Sequence, residues 1–360
     1  MLAVRLIHEV AAFSLDAAFE APAGVTALFG PSGAGKSMVV GAVAGLVRPR
    51  AGRIALGERV LLDTDRGRFV PAHRRRVGVI FQEGRLFPHM TVRGNLAYGR
   101  RFAPRGAPRP ETGRIIDMLG IGHLMDRRPG GLSGGEAQRV AVGRALNAAP
   151  ELILADEPLA ALDAARRADI LPYFERLRDA LSVPVLYVSH SAGEVARLAD
   201  KVVVIRAGRV VRQGPAADVL GDPEMTPLGP REAGAVITAR MARQHADGLS
   251  ELEAGGAALF LPRIERPAGA PVRLRIAAHE VILSRAPPQG LSALNILPGT
   301  VASLRAGAGP GMLVAVDTPA GRVLARITQR SAAALELAPG AACHAVIKTV
   351  SVAPEEVGGG

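Results

Sequence analysis

The chain has 360 residues, 48% apolar and 21% charged. These are ordinary globular proportions, and the length suggests two domains. The formal charge is +11, yet only Lys36, Lys201 and Lys348 among the 44 basic residues are lysines. The densest basic run, His73-Arg74-Arg75-Arg76, has no interleaved aromatics on which bases could stack, so the charge reads as a solvated basic edge, with a polyanion or membrane-surface patch as the alternative, and no nucleic-acid partner is expected. A single cysteine, Cys343, excludes an intrachain disulfide and a cysteine-rich metal site. The longest uncharged stretch, Ala286 to Leu304, holds three prolines and is no membrane span. Arg5 and Glu9 interrupt the N-terminus before a secretory apolar run can form, so a cytoplasmic chain is expected.

In chain order, Val25 to Phe29 is apolar and β-branched, like a buried parallel strand. Gly30, Pro31, Ser32, Gly33, Ala34, Gly35, Lys36 and Ser37 follow, and then an apolar helix is expected over Met38 to Val47. Strand, GxxxxGK[ST], helix is a phosphate loop: its backbone N–H groups and the helix N-terminus face phosphate oxygens. Lys36 would reach the β- and γ-phosphates of ATP, and Ser37 would hold Mg²⁺.

Further along, Ser133 and Glu136 form an S-x-x-E capping box at the start of a helix whose apolar stripe is Ala137, Val140, Ala141 and Ala145. Gly134 and Gly135 cost helix propensity inside its first turn, which makes sense if a γ-phosphate must approach that backbone. Leu152 to Asp156 is an apolar strand ending in a carboxylate suited to Mg²⁺, and Glu157 stands where a general base could polarise the attacking water.

With these residues in place, the chain resembles the ATP-binding-cassette ATPases over residues 1 to about 230. Leu132-Ser-Gly-Gly-Glu-Ala-Gln-Arg-Val140 is similar to the family signature, Gln82 to its glutamine-loop residue and Mg²⁺ contact, and Ala161-Leu162-Asp163 to its dimer-contacting aspartate loop. His190, after the strand expected over Val183 to Ser189, resembles the switch histidine at the γ-phosphate. The resemblance implies a head-to-tail homodimer in which each ATP lies between Gly30–Ser37 of one chain and Ser133–Gly135 with Asp163 of the other. No aromatic residue for stacking adenine stands out; Phe13 is the candidate. Phe81 to Asn95 resembles the segment of importer ATPases that receives a coupling helix from a membrane subunit, with Phe87-Pro88 marking a fixed turn. That implies two transmembrane permease subunits and a peripheral place on the cytoplasmic face of the inner membrane.

After about Pro230 the α/β alternation gives way to short strands, expected at Val272–Ile276, Val281–Leu283, Thr300–Leu304, Met312–Asp317, Val323–Ile327 and Ala345–Val352. A helix is expected over Gln329 to Leu337, started by Thr328 or Ser331. The fold class is therefore an α/β phosphate-loop ATPase (1–232), a connector and β segment (233–288), and a small all-β, OB-like barrel (289–354). Ser292-Ala-Leu-Asn295-Ile-Leu-Pro-Gly299 and Val346-Ile-Lys348-Thr-Val-Ser351-Val resemble the molybdate-binding domain of molybdate importer ATPases, with Leu294 where arginine is usual. The resemblance implies ATP-driven import of molybdate or tungstate delivered by an external binding protein. It also implies feedback sensing of the oxyanion through Ser292, Asn295, Lys348 and Ser351, with a dimerising or structural role for the domain as the alternative. A sulfate, iron or polyamine importer ATPase, or a non-transport regulator, is the alternative.

Overall fold

The computed structural model describes residues 1–102, 111–160, 162–180, 183–223, 232–307, 309–349 and 357–359. Two compact units result: Met1–His190 with Ala199–Gln213, and Ser191–Leu198 with Gly214–Gly360.

In chain order the elements up to residue 215 are β1 (Leu2–Val10), β2 (Phe13–Ala21), β3 (Gly24–Phe29), α1 (Lys36–Ala44), β4 (Ala51–Leu56), β5 (Arg59–Asp63), β6 (Arg68–Phe69), β7 (Val77–Ile80), α2 (Val92–Tyr98), α3 (Thr112–Leu119), α4 (Gly134–Asn147), β8 (Leu152–Asp156), α5 (Ala164–Ala180), β9 (Pro184–Ser189), α6 (Ala192–Leu198), β10 (Lys201–Arg206) and β11 (Arg209–Pro215). The strands form one sheet in the order β6-β5-β4-β1-β2-β11-β10-β3-β9-β8-β7. From β10 through β3, β9 and β8 to β7 all pairs are parallel, and the inner strands are buried nearly end to end, hence their unbroken apolar runs. β1, β2 and β4 pair antiparallel or flank such pairs. β2 alternates buried and exposed residues because one face packs on the core shared with Val39 and Val43 of α1 while the other meets water. Register sets Phe29 opposite Ser189, Val188 opposite Asp156, and Ala155 opposite Ile80. Four strands thus end at one edge, where open parallel sheets hold ligands.

α1 begins at Lys36 and stops at Ala44, three residues short of the Val47 end expected from its apolar run. The reason is a contact remote in sequence. Arg75 is fully buried. Its Nη1 donates to the carbonyls of Ala42 (2.7 Å) and Val43 (2.9 Å), and its Nε to Val70 (2.7 Å). Gly45 turns left-handed there (φ 81°), and a Cβ on it would lie 2.6 Å from Arg75 Nε. A buried guanidinium on the last carbonyls satisfies orphan acceptors and complements the negative helix end.

The second unit includes α6, α7 (Ala216–Leu220), β12 (Gly234–Gln244), β13 (Leu249–Ala254), β14 (Ala257–Pro262), β15 (Pro271–Ala277), β16 (Val281–Ser284), β17 (Asn295–Ala306), β18 (Gly311–Thr318), β19 (Gly321–Thr328), α8 (Gln329–Ala334), β20 (Ala342–Ile347) and β21 (Val357–Gly359). Two antiparallel five-stranded sheets, β14-β13-β12-β15-β21 and β16-β20-β17-β18-β19, enclose one apolar core containing Ile237, Leu274, Leu297, Val316 and Ala345. The expected all-β character holds, with Thr328 capping α8 through Ser331 N. Residues 234–262, within the stretch expected to be connector and β segment, form three strands of that core. Their alternating burial (Leu249 to Ala254) and the Gly255-Gly256 turn are the hairpin signal that was readable there. β20 stops at Ile347, so Lys348 follows the strand that was expected to run to Val352.

Asn295, 2% exposed, joins the two sheets: its Oδ1 accepts from Phe260 N (2.7 Å) and its Nδ2 donates to Phe260 O (2.9 Å). Removing the amide leaves two buried backbone groups unpaired. Asn295→Ala is expected to lower unfolding free energy by about 1–3 kcal/mol, checked by urea titration of the full chain followed by circular dichroism.

Candidate active site

The phosphate loop leaves β3 at Gly30, whose φ is 154° and whose added Cβ would sit 2.1 Å from the Ile205 carbonyl of β10. No side chain larger than hydrogen fits that crossing. At the loop's other end Gly35 (φ 101°) precedes α1 with no side-chain cap on the helix N-terminus, leaving first-turn N–H groups for an anion. Lys36 is 4% exposed and folds its Nζ onto the carbonyls of Gly30 and Pro31, both at 2.9 Å. Phe13, at the start of β2, packs beside Gly35, where a Cβ would come within 3.0 Å of its ring.

The ends of β8 and β9 complete the cluster. Ser37 Oγ donates to Asp156 Oδ1 at 3.1 Å. Glu157 has one oxygen 3.9 Å from Lys36 Nζ and the other 3.2 Å from His190 Nδ1. Its backbone is left-handed (φ 47°), and its N–H donates to Val188 O at 3.1 Å. A non-glycine residue in that region stores strain, a common feature of reactive sites. Burial shapes the charges. It holds the Lys36 ammonium below the ordinary lysine value, against the pull of Glu157 and Asp156. It also pushes the Asp156 carboxyl up, against its bond from Ser37.

Five of the sequence-selected residues therefore meet: Lys36, Ser37, Asp156, Glu157 and His190. Gln82 is exposed just beyond β7 and has no hydrogen bond to Ser37 or Asp156 among the described residues. Ser133 caps α4 by accepting from Glu136 N (3.2 Å), while Glu136 accepts from Ser133 N (2.7 Å), the full capping box. That reciprocal bond holds the Glu136 carboxyl below its usual range. The nearest neighbours of a Cβ on Gly134 or Gly135 would be Leu162 at 3.5 Å and Ile170 at 3.4 Å, ordinary contacts. Packing within the chain does not demand either glycine. Asp163 is exposed and accepts from Arg166 N at 2.9 Å at the start of α5; Ala161 beside it lies outside the described residues. No hydrogen bond or ion pair of the five-residue cluster reaches Ser133–Gly135 or Asp163 among the described residues.

Of the oxyanion candidates, Ser292 and Lys348 are exposed, Asn295 spends its amide on Phe260, and Ser351 lies outside the described residues. Leu294 is also exposed. Sequence reasoning missed Asn95. It is fully buried in α2, accepts from Phe87 N (2.8 Å) and donates to Phe87 O (3.2 Å) and Thr91 O (3.0 Å). Asn95 is what fixes the Phe87-Pro88 turn; a lone asparagine beside the apolar Leu96 was the available signal.

A buried ammonium at a phosphate loop, a hydroxyl–carboxylate pair and a carboxylate braced by an imidazole can together hydrolyse a phosphoanhydride. Because the raised Asp156 pKa means the folded chain holds that proton more tightly than the unfolded chain, ionised Asp156 weakens the fold at neutral pH. Asp156→Asn is expected to raise the melting temperature at pH 7. The gain should vanish as pH falls through the raised value to the ordinary aspartate range of about 3.9, which a pH series of thermal melts reads directly.

The chain matches the family model for ABC transporters over residues 16–160 and that for the TOBE domain over residues 291–354. It is 50% identical to the molybdenum import ATP-binding protein ModC of Mesorhizobium japonicum over 359 residues, covering 99% of this chain and 97% of that protein. It is 51% identical to the protein of the same name from Rhizobium meliloti, covering 98% and 99%. Among solved structures it is similar to the dimeric post-hydrolysis ATP-binding cassette MJ0796 bound to ADP and Pi, with a TM-score of 0.50 and 25% identity over 60% of this chain and 99% of that one.

Proposed function

We propose, from the premise that this chain belongs to the molybdenum import ATP-binding protein family, that its five-residue cluster hydrolyses ATP to power import of molybdate. The observation that carries this reading is Glu157, held between Lys36 Nζ and His190 Nδ1 at the end of β8. Lys36 exchanges the carbonyls of Gly30 and Pro31 for the phosphates of ATP, and the N–H groups of Gly33 to Ser37 bind the same oxygens. Glu157 accepts the proton of the attacking water, and His190 orients the carboxylate and contacts the γ-phosphate.

Magnesium fits this site. The Ser37 hydroxyl and the Asp156 carboxylate lie within hydrogen-bond distance of each other and are hard oxygen donors of the kind it takes, and Gln82 on the adjacent strand end supplies a third. When bound, the ion neutralises charge on the β- and γ-phosphate oxygens.

The working unit is a head-to-tail homodimer. Ser133, Gly134, Gly135 and Asp163 of each chain close over the ATP held by the partner, which accounts for two glycines that the chain's own packing does not require. Phe13, beside Gly35, supports the adenine. The dimer lies on the cytoplasmic face of the membrane beneath two permease subunits, which receive the oxyanion from an external binding protein. The C-terminal unit senses molybdate or tungstate through Ser292, Lys348 and Ser351, with Asn295 acting by holding β17 in place.

Glu157→Gln is expected to bind ATP normally and to lose about 10²–10⁴ in turnover, the usual worth of a general base. Near-normal steady-state hydrolysis by this variant would remove Glu157 from its role. Calorimetric titration of the full chain with molybdate, tungstate and sulfate tests the sensing role. Saturable binding of the first two alone is expected, and no binding to any of the three would reduce the C-terminal unit to a structural one.

A further inference from the structure

The helix that carries Ser133 at its N-terminus also grips both flanks of Gln82. Gln138, 3% exposed on α4, donates through Nε2 to the Phe81 carbonyl at 3.2 Å. Six residues further along α4, Arg144 forks onto two successive carbonyls, Arg85 O through Nη1 (2.7 Å) and Gly84 O through Nη2 (2.9 Å). The fork is available because Arg85 is left-handed (φ 42°), its guanidinium lying 4.2 Å above the Phe81 ring. Between the two grips Gly84 lies directly on α4: a Cβ there would come 3.3 Å from Ala137 O and 3.4 Å from Ala141 Cβ. Arg144 also lies over the Phe87 ring at 5.4 Å. Gln82 itself is exposed between the clamped residues. α4 and the segment Phe81–Arg85 are therefore fastened at three points.

We infer that Gln138 and Arg144 are positioning residues that couple the two ATP sites of the dimer. This rests on the dimeric ATPase reading above. The partner's nucleotide, bound at Ser133–Gly135, sets the position of α4, and α4 through these clamps sets the position of Gln82 in its own chain's site. Each site then hydrolyses according to the occupancy of the other. Neither residue touches nucleotide, so loss of the clamp should leave ATP affinity alone and abolish communication between sites.

The test is the ATP-concentration dependence of steady-state hydrolysis by the full chain, with affinity read separately from a fluorescent ATP analogue. Wild type is expected to give a Hill coefficient approaching 2, the ceiling for two sites. Arg144→Met should bring it to about 1 with affinity changed by less than about 2-fold, and Arg144→Lys should recover part of the cooperativity. Gln138→Leu keeps the buried volume and repeats the measurement independently of Arg144, with thermal melts checking that both variants fold. Wild-type cooperativity persisting in both Arg144→Met and Gln138→Leu would overturn the coupling and leave the dimeric ATPase intact. A non-cooperative wild type would also overturn the coupling, since two independent sites in a shared-site dimer give a Hill coefficient of about 1.

Discussion

Partial burial of opposite charges at the edge of a parallel sheet is the constraint on which the rest of the ATPase unit depends. Lys36, Asp156 and Glu157 cannot leave water cheaply, and burial pulls both Lys36 and Asp156 toward their neutral forms. They stay together because β3, β9 and β8 end in register and offer compensating partners: loop carbonyls for Lys36, the Ser37 hydroxyl for Asp156 and the His190 ring for Glu157. Such a cluster costs stability, as reactive sites commonly do.

Around this edge, side chains that take no part in the chemistry hold the backbone still. Arg75 fastens the far end of the phosphate-loop helix, Asn95 pins the Phe87-Pro88 turn, and Gln138 with Arg144 ties the signature helix to the glutamine-loop segment. All four bond to main-chain carbonyls, each with at least one partner eight or more residues away, sixty for Arg144. Fixing irregular loops by buried donors removes the entropy that would otherwise blur a site whose geometry must hold within fractions of an ångström.

The C-terminal unit follows a different logic. Its two antiparallel sheets share one aliphatic core, and Asn295 bridges them through the Phe260 backbone. That placement changes what the SALN segment says. The asparagine resembled a ligand in sequence and serves as a pin in three dimensions, while Ser292 and Lys348 remain exposed beside an exposed Leu294.

Much of the candidate site was legible in the sequence because the chemistry it points to demands particular atoms at short spacing. A phosphate loop needs glycines and a lysine within eight residues, and a capping box needs Ser133 and Glu136 three apart. A carboxylate at a strand end needs the apolar run before it. Local periodicity likewise located the central strands and α8. What could not be read was anything decided by partners distant along the chain. α1 ends at Ala44 because Arg75 arrives from 32 and 33 residues away, Asn295 is structural because Phe260 lies opposite it, and the grip of Arg144 exists because Arg85 turns left-handed beside it. The sequence by itself determined which groups are candidates for the chemistry, since covalent identity and short-range geometry suffice for that. Only the tertiary structure decided which residues hold those groups in place, because hydrogen bonds between remote segments form when the sheet register and helix packing bring them within 3 Å.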